Sequence, residues 1–176
     1  MTVGAVVAPG YGGSAQQPIV REMVRRLISA GITAKPISFT RKRPTGDFAP
    51  ELDDVRRARD TLRVDTVALV GRSFGGRVCT RLAALEPPAA LVVLGHPIGR
   101  KDRPRPDDEA ALARVMCPTL IVQGEHDALG PLEVLRSIPN PRVEIYVLKG
   151  VGHNFASRQA EGLEYATSWL AQRLGV

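Results

Sequence analysis

Val64-Asp65-Thr66-Val67-Ala68-Leu69-Val70 leads directly into Gly71-Arg72-Ser73-Phe74-Gly75-Gly76, and Arg77 to Glu86 then continues as a helical pattern. An apolar, β-branched run, a glycine-bracketed serine and a helix are what a nucleophile elbow requires. The serine has to occupy a sharp, strained turn so that its hydroxyl stands clear of the strand. Glycines on either side let strand and helix pass closely with no Cβ between them. The helix aims its N-terminal N–H groups at the position where negative charge develops in acyl transfer. A glycine-rich turn that binds phosphate would share part of this pattern, so context decides. Here the context includes an acid and a histidine downstream.

The chain's 176 residues suffice for one domain, spanning 1–176, with one substantial core. A content of 44% hydrophobic and 24% charged residues is that of a soluble globular protein, not of a disordered or membrane chain. No apolar run approaches the roughly 20 residues of a membrane span. Met1-Thr2-Val3-Gly4 enters a strand-like run without the features of a signal peptide, so a cytoplasmic location is expected. Cys79 and Cys117 lack metal-ligand spacing and read as buried free thiols.

The net charge is +6, with basic clusters at Arg41-Lys42-Arg43, Arg56-Arg57-Arg59 and Arg100-Lys101-Arg103-Arg105. Aromatic residues make up only 5%, and no nucleic-acid-binding module is visible, which argues against that class of partner. The clusters read as a solvated basic surface, the alternative being attraction of an anionic substrate or surface.

Outward from the elbow, strand-like and helical segments alternate. Val3 to Ala8 is a buried strand that breaks at Pro9-Gly10-Tyr11-Gly12-Gly13, and Ser14 with Gln17 has the spacing of a capping box for the next helix. Ile32 to Phe39 is a second strand, and Glu51 to Leu62 a charged surface helix. After the elbow come a strand at Leu91 to Gly95, a basic Pro-rich loop with a helix at Asp107 to Val115, and a strand at Thr119 to Gln123. A short helix (Pro131 to Ser137), a strand (Val143 to Leu148) and an amphipathic helix (Ser157 to Leu174) complete the chain. This alternation predicts an α/β fold whose mostly parallel sheet of about six strands is covered by helices on both faces. Sites in such sheets form beyond the carboxyl ends of the strands, where each chemically suggestive stretch of this chain lies.

A serine hydroxyl needs a base within hydrogen-bond reach and a third group to orient that base. Of the three histidines, His126 adjoins the best acid candidate on one loop, where neighbours seldom face each other, and His96 fits loop packing. His153, in the glycine-flanked loop after the last strand, is the expected base. Asp127, in the loop after the fifth strand, is the expected acid. Asp102, Asp107 and Asp108 sit in surroundings suited to solvated surface, and Glu125 reads as a surface or loop-bracing residue. An oxyanion hole needs two N–H donors: Phe74, next after the serine, and Tyr11 in the first loop, with Gly12 as fallback.

The stretches APGYGGS, VGRSFGGR, PTLIVQGEHDALG and GVGHNF together resemble the α/β-hydrolase fold superfamily, and within it the small dienelactone-hydrolase-like proteins that lack a lid domain. The chain order Ser73, Asp127, His153 is the one used there. The resemblance implies a three-layer fold with spatial strand order 2-1-3-4-5-6. It assigns Ser73, Asp127 and His153 as nucleophile, acid and base, and Tyr11 and Phe74 as backbone oxyanion donors. Two departures stand out: Ala8-Pro9-Gly10 replaces the histidine that usually precedes the first-loop glycine, and dienelactone hydrolase itself uses cysteine. The expected activity is a serine hydrolase acting on a small ester or thioester, with no metal or organic cofactor, nucleic acid or membrane involved. A hydrolase-fold interaction module is the alternative.

Overall fold

Six short segments pair into a sheet whose four central strands are largely buried on both faces, in a computed structural model that describes residues 1–176. The strands are β1 (Val3–Ala8), β2 (Thr33–Pro36), β3 (Thr66–Arg72), β4 (Leu91–Leu94), β5 (Thr119–Gly124) and β6 (Val143–Leu148). They lie in the order β2-β1-β3-β4-β5-β6, and every pair is parallel. The expected order holds, and the sheet is wholly rather than mostly parallel.

Because side chains alternate along a strand, each one feeds two cores. Val3, Ala5 and Val7 of β1 face one side with Val70, Val92 and Val122, beneath α1 (Pro18–Ser29) and α6 (Gln159–Leu174). Val6 and Ala8 face the other with Leu69, Val93 and Ile121. That side is covered by α2 (Ala49–Thr61), α3 (Phe74–Leu85), α4 (Pro106–Arg114) and α5 (Leu132–Ser137). Each cluster holds 22 buried residues, so the sheet is the middle of three balanced layers. Cys79 and Cys117 are buried and unpaired. No helix is long and apolar enough to cross a membrane.

Several local expectations need correction. Ser14 and Gln17 form no capping box: α1 starts at Pro18, and Gln17 makes no side-chain cap. Ser14 Oγ accepts from Gln16 N, while Gln17 Oε1 accepts from Gly10 N at 2.9 Å and braces the loop after β1. Proline at the first helical position, with φ preset, supplies the start instead. β2 is shorter than Ile32 to Phe39: it ends at Pro36, whose missing N–H falls on the free edge of the sheet, and Ile37 N makes the last bond to β1, donating to Val7 O at 3.0 Å. α2 is not simply a surface helix, because Glu51 and Asp54 are buried and hold the loop before it. Asp108 is not solvated either: it lies buried between Arg77 (2.5 Å) and Arg81 (2.7 Å) of α3. Those ion pairs fasten α4 to the side of α3. The remaining chain between β4 and β5 adds only a two-residue ribbon, Gly99–Arg100 against Arg103–Pro104, so there is no lid domain.

The chain runs from β1 outward to β2 and then back across to β3. The loops after β1 and β3 therefore meet where the order reverses, the crevice in which ligands settle in such sheets. Backbone contact there is tight. A Cβ on Gly75 would lie 2.4 Å from Pro9 O and 2.7 Å from Ala8 O, atoms that cannot yield without moving β1. Gly46, by contrast, has nothing within 4 Å of an added Cβ. Gly75→Ala is expected to cost about 2–3 kcal/mol of stability. Gly46→Ala should be neutral or stabilise by about 0.4–1 kcal/mol. Urea unfolding of the two variants checks both; equal midpoints would contradict the close approach.

Candidate active site

Ser73 joins β3 to α3 at φ 48° and ψ −113°, a conformation that L residues rarely adopt. Its N–H donates to Leu94 O at 3.1 Å, and its carbonyl accepts the first helical bond, from Arg77 N at 3.2 Å. Turned outward in this way, Ser73 Oγ lies 2.7 Å from His153 Nε2. His153 Nδ1 in turn lies 2.7 Å from Asp127 Oδ2. A carboxylate only accepts, so the imidazole carries its proton on Nδ1 and offers Nε2 as acceptor to the serine O–H.

Asp127 is only 2% exposed and is fully engaged. Its Oδ1 accepts from Leu129 N (2.9 Å) and Gly130 N (3.2 Å), and its Oδ2 also accepts from Gln123 Nε2 (2.9 Å). Gln123, the penultimate residue of β5, ties this loop to the end of β4, since its Oε1 accepts from His96 N at 2.7 Å. Glu125 braces the loop that carries His153, accepting from Lys149 Nζ (3.1 Å) and Gly150 N (2.9 Å). That is the loop-bracing role expected of it.

Arg72 is a contributor that sequence reasoning missed. Its guanidinium donates to His153 O at 2.5 Å and Leu94 O at 2.9 Å, and it lies over the Phe155 ring, 5.0 Å from the centroid. Burial lowers it to about 10, against the attraction of Asp127, so it stays cationic at neutral pH. Gly95, at φ +71°, makes room: a Cβ there would sit 2.4 Å from Arg72 Nη1 and 3.3 Å from His153 Cε1. Position 72 is a variable letter in the elbow pattern, and its partner lies 81 residues away, so no local signal marks it.

The N–H groups of Tyr11 and Phe74 donate to nothing else in the protein, whereas Gly10 N is taken by Gln17. Phe74 lies among Tyr11, Phe39 and Phe48, with ring centroids 5.1–6.1 Å away. Four of the chain's eight aromatic residues (four Phe, three Tyr, one Trp) therefore gather beside the serine. A cleft of about 460 Å³ opens over Ser73 and His153, bounded by Tyr11, Arg72 and Leu129.

The other titratable candidates stand apart from Ser73. His96 is buried, with Nε2 3.4 Å from Thr80 Oγ1 and Nδ1 unpartnered. His126 is exposed beside Glu125, Asp102 pairs with Arg100, and Asp107 is exposed on α4. No three His, Cys, Asp or Glu side chains gather as metal ligands.

A family model described as an alpha/beta hydrolase domain matches residues 2–173. Among solved structures, an alpha-beta serine hydrolase homologue from Coxiella burnetii is similar at TM-score 0.79 and 25% identity, covering 97% of this chain and 86% of that one. Est1E from Butyrivibrio proteoclasticus is similar at TM-score 0.82 and 15% identity, covering 99% and 89%. A serine hydrolase without lid from Xanthomonas campestris is similar at TM-score 0.69 and 22% identity, covering 99% and 82%. No curated protein matches in sequence.

Burial lowers His96 from 6.5 to about 4, so it is neutral in the fold while the unfolded chain takes up its proton first on acidification. Its contribution to stability is full above pH 6.5 and is lost as pH falls toward 4. The loss is expected to reach about 3 kcal/mol, at 1.36 kcal/mol per pKa unit. Urea unfolding of wild type and His96→Gln at several pH values should show a shallower acid slope in the variant. Parallel slopes would contradict this.

Proposed function

The chain belongs to the alpha/beta hydrolase domain family, and from that membership we propose that it is a serine hydrolase that cleaves small esters or thioesters through an acyl-enzyme on Ser73. One observation carries this reading: the unbroken relay from Ser73 Oγ to His153 Nε2 and from His153 Nδ1 to Asp127 Oδ2, each step 2.7 Å. A binding module has no need to hold a serine at a strained turn against a base oriented in this way.

In this mechanism, Ser73 Oγ bonds to the substrate carbonyl carbon as its proton passes to His153 Nε2. Asp127 holds the imidazole and stabilises the imidazolium, and the N–H groups of Tyr11 and Phe74 receive the oxyanion. Collapse of the tetrahedral species breaks the bond to the leaving oxygen or sulfur, which takes the proton from Nε2. Water, giving its proton to the same nitrogen, attacks the acyl-enzyme; the proton returns to Ser73 Oγ and the carboxylic acid leaves. Arg72 positions His153 through its carbonyl, and Gln123 positions Asp127.

With α4 fastened to α3, no element roofs the cleft, and an open site recovers little of the roughly 0.8 kcal/mol per CH₂ that burial of a long acyl chain offers. Short-chain substrates fit this architecture. Hydrolysis of p-nitrophenyl esters from acetate to decanoate tests both parts of the reading. The kcat/KM should level off beyond short chains. Ser73→Ala and His153→Ala should each lose at least about a thousandfold in kcat, and the double variant little more, since the two act as one unit. A steep rise to decanoate would reveal a lipid groove, and activity that survives Ser73→Ala would remove the nucleophile assignment.

A further inference from the structure

Resting on that hydrolase reading, we propose that a second hollow beside the oxyanion donors is the acyl subsite, and that it selects acyl groups ending in a carboxylate. The hollow, about 230 Å³, lies between the loop after β2 and the turn after β1, with Tyr11, Phe39, Arg41, Lys42 and Phe74 among its lining residues. Tyr11 lines the Ser73 cleft as well, so the two spaces adjoin.

Proton transfer assigns the two spaces. His153 Nε2 must protonate the leaving group, which therefore lies in the cleft lined by His153. The acyl remainder, bonded to Ser73 and with its oxygen toward Tyr11 N and Phe74 N, extends to the other side, where the hollow begins. Its volume falls below the roughly 300–1,000 Å³ of pockets for drug-sized ligands, which restricts it to a short acyl group.

The chemistry of the walls and mouth then narrows that group. Phe39 and Phe74 meet edge-on at 5.4 Å, and Tyr11 and Phe74 at 6.1 Å, which gives apolar walls for methylene groups. Arg41 and Lys42 are exposed at the mouth and have neither a hydrogen-bond nor an ion-pair partner, and no acidic residue lines the hollow. In the cluster at 100–105 most cations are engaged, Arg100 by Asp102, Lys101 by Glu133 and Arg105 by Pro97 O, and Arg103, which has no partner, lines neither the hollow nor the Ser73 cleft.

The cation-bearing loop is also held at both ends. Thr40 donates from N (2.8 Å) and Oγ1 (3.0 Å) to buried Asp54, and Thr45 Oγ1 donates to buried Glu51 (3.2 Å). Arg41 and Lys42 are presented between these anchors. A carboxylate reaching them along apolar walls is attracted more strongly than it would be in bulk water, and arginine offers it a fork of two donors. A short dicarboxylic acid joined through one end as an ester or thioester has this shape and charge.

The test compares the mono-p-nitrophenyl ester of glutarate with its neutral methyl diester as the ratio of their kcat/KM values. In wild type at low salt the ratio should be at least about tenfold in favour of the anion, and it should shrink as salt screens the contact. Arg41→Ala/Lys42→Ala should bring the ratio near one, and Arg41→Glu/Lys42→Glu should invert it. Arg114→Ala, at the opposite end of the sheet, should keep the wild-type ratio. A thermal melt confirms each fold, and the alanine pair carries the test if the charge reversal does not fold. If the neutral ester is cleaved with a ratio of one, or the ratio survives both double variants, the subsite is wrong and the hydrolase reading stands. If neither ester is cleaved, both fall together.

Discussion

Ser73 occupies backbone space that a side-chain-bearing residue enters only under constraint, and much of the surrounding structure serves to keep it there. Such a conformation costs on the order of 1–3 kcal/mol and persists only when neighbouring contacts over-determine it. They do so from three directions. The serine N–H is fixed to Leu94 O on β4, its carbonyl starts α3, and Gly75 presses against the backbone at Ala8 and Pro9. Those contacts exist because β1, β3 and β4 are adjacent and parallel, so that their carboxyl ends reach one edge together. The strain is thus a product of sheet order, and the outward hydroxyl is its consequence.

The same geometry explains why so much of the site is legible in the chain. In a parallel sheet, any residue just beyond a strand end is delivered to one edge. A serine after β3, an aspartate after β5 and a histidine after β6 therefore converge without being near in sequence. The residues that hold them are harder to read. Arg72 and Gln123 act through partners on other strands, and Tyr11, Phe39, Phe48 and Phe74 are scattered along the chain. Asp108 looks like surface because its neighbours are polar, yet it is buried once α4 lies across Arg77 and Arg81. The Ser14 and Gln17 spacing misleads for a related reason. A glutamine can brace a loop as readily as cap a helix, and only the fold shows that Gly10 N is the donor available to it.

Charge tells a parallel story. The excess of basic residues suggests a diffuse surface, but many of the arginines are structural. Arg56 and Arg59 share Glu86, Arg77 and Arg81 share Asp108 over the Phe48 ring, and Arg72 is bound to main-chain carbonyls. Against this background the unpaired Arg41 and Lys42, which line a hollow beside the site from an anchored loop, carry more meaning than the net charge does.

The central claim is that this turn and relay make Ser73 a nucleophile unlike any other hydroxyl in the chain. Its most direct measurement is reaction of the folded protein with a fluorophosphonate, followed by intact mass and peptide mapping. The account predicts a single phosphonyl adduct on the peptide containing Ser73, absent in Ser73→Ala and greatly slowed in His153→Ala. No adduct, or one that persists unchanged in Ser73→Ala, would contradict it.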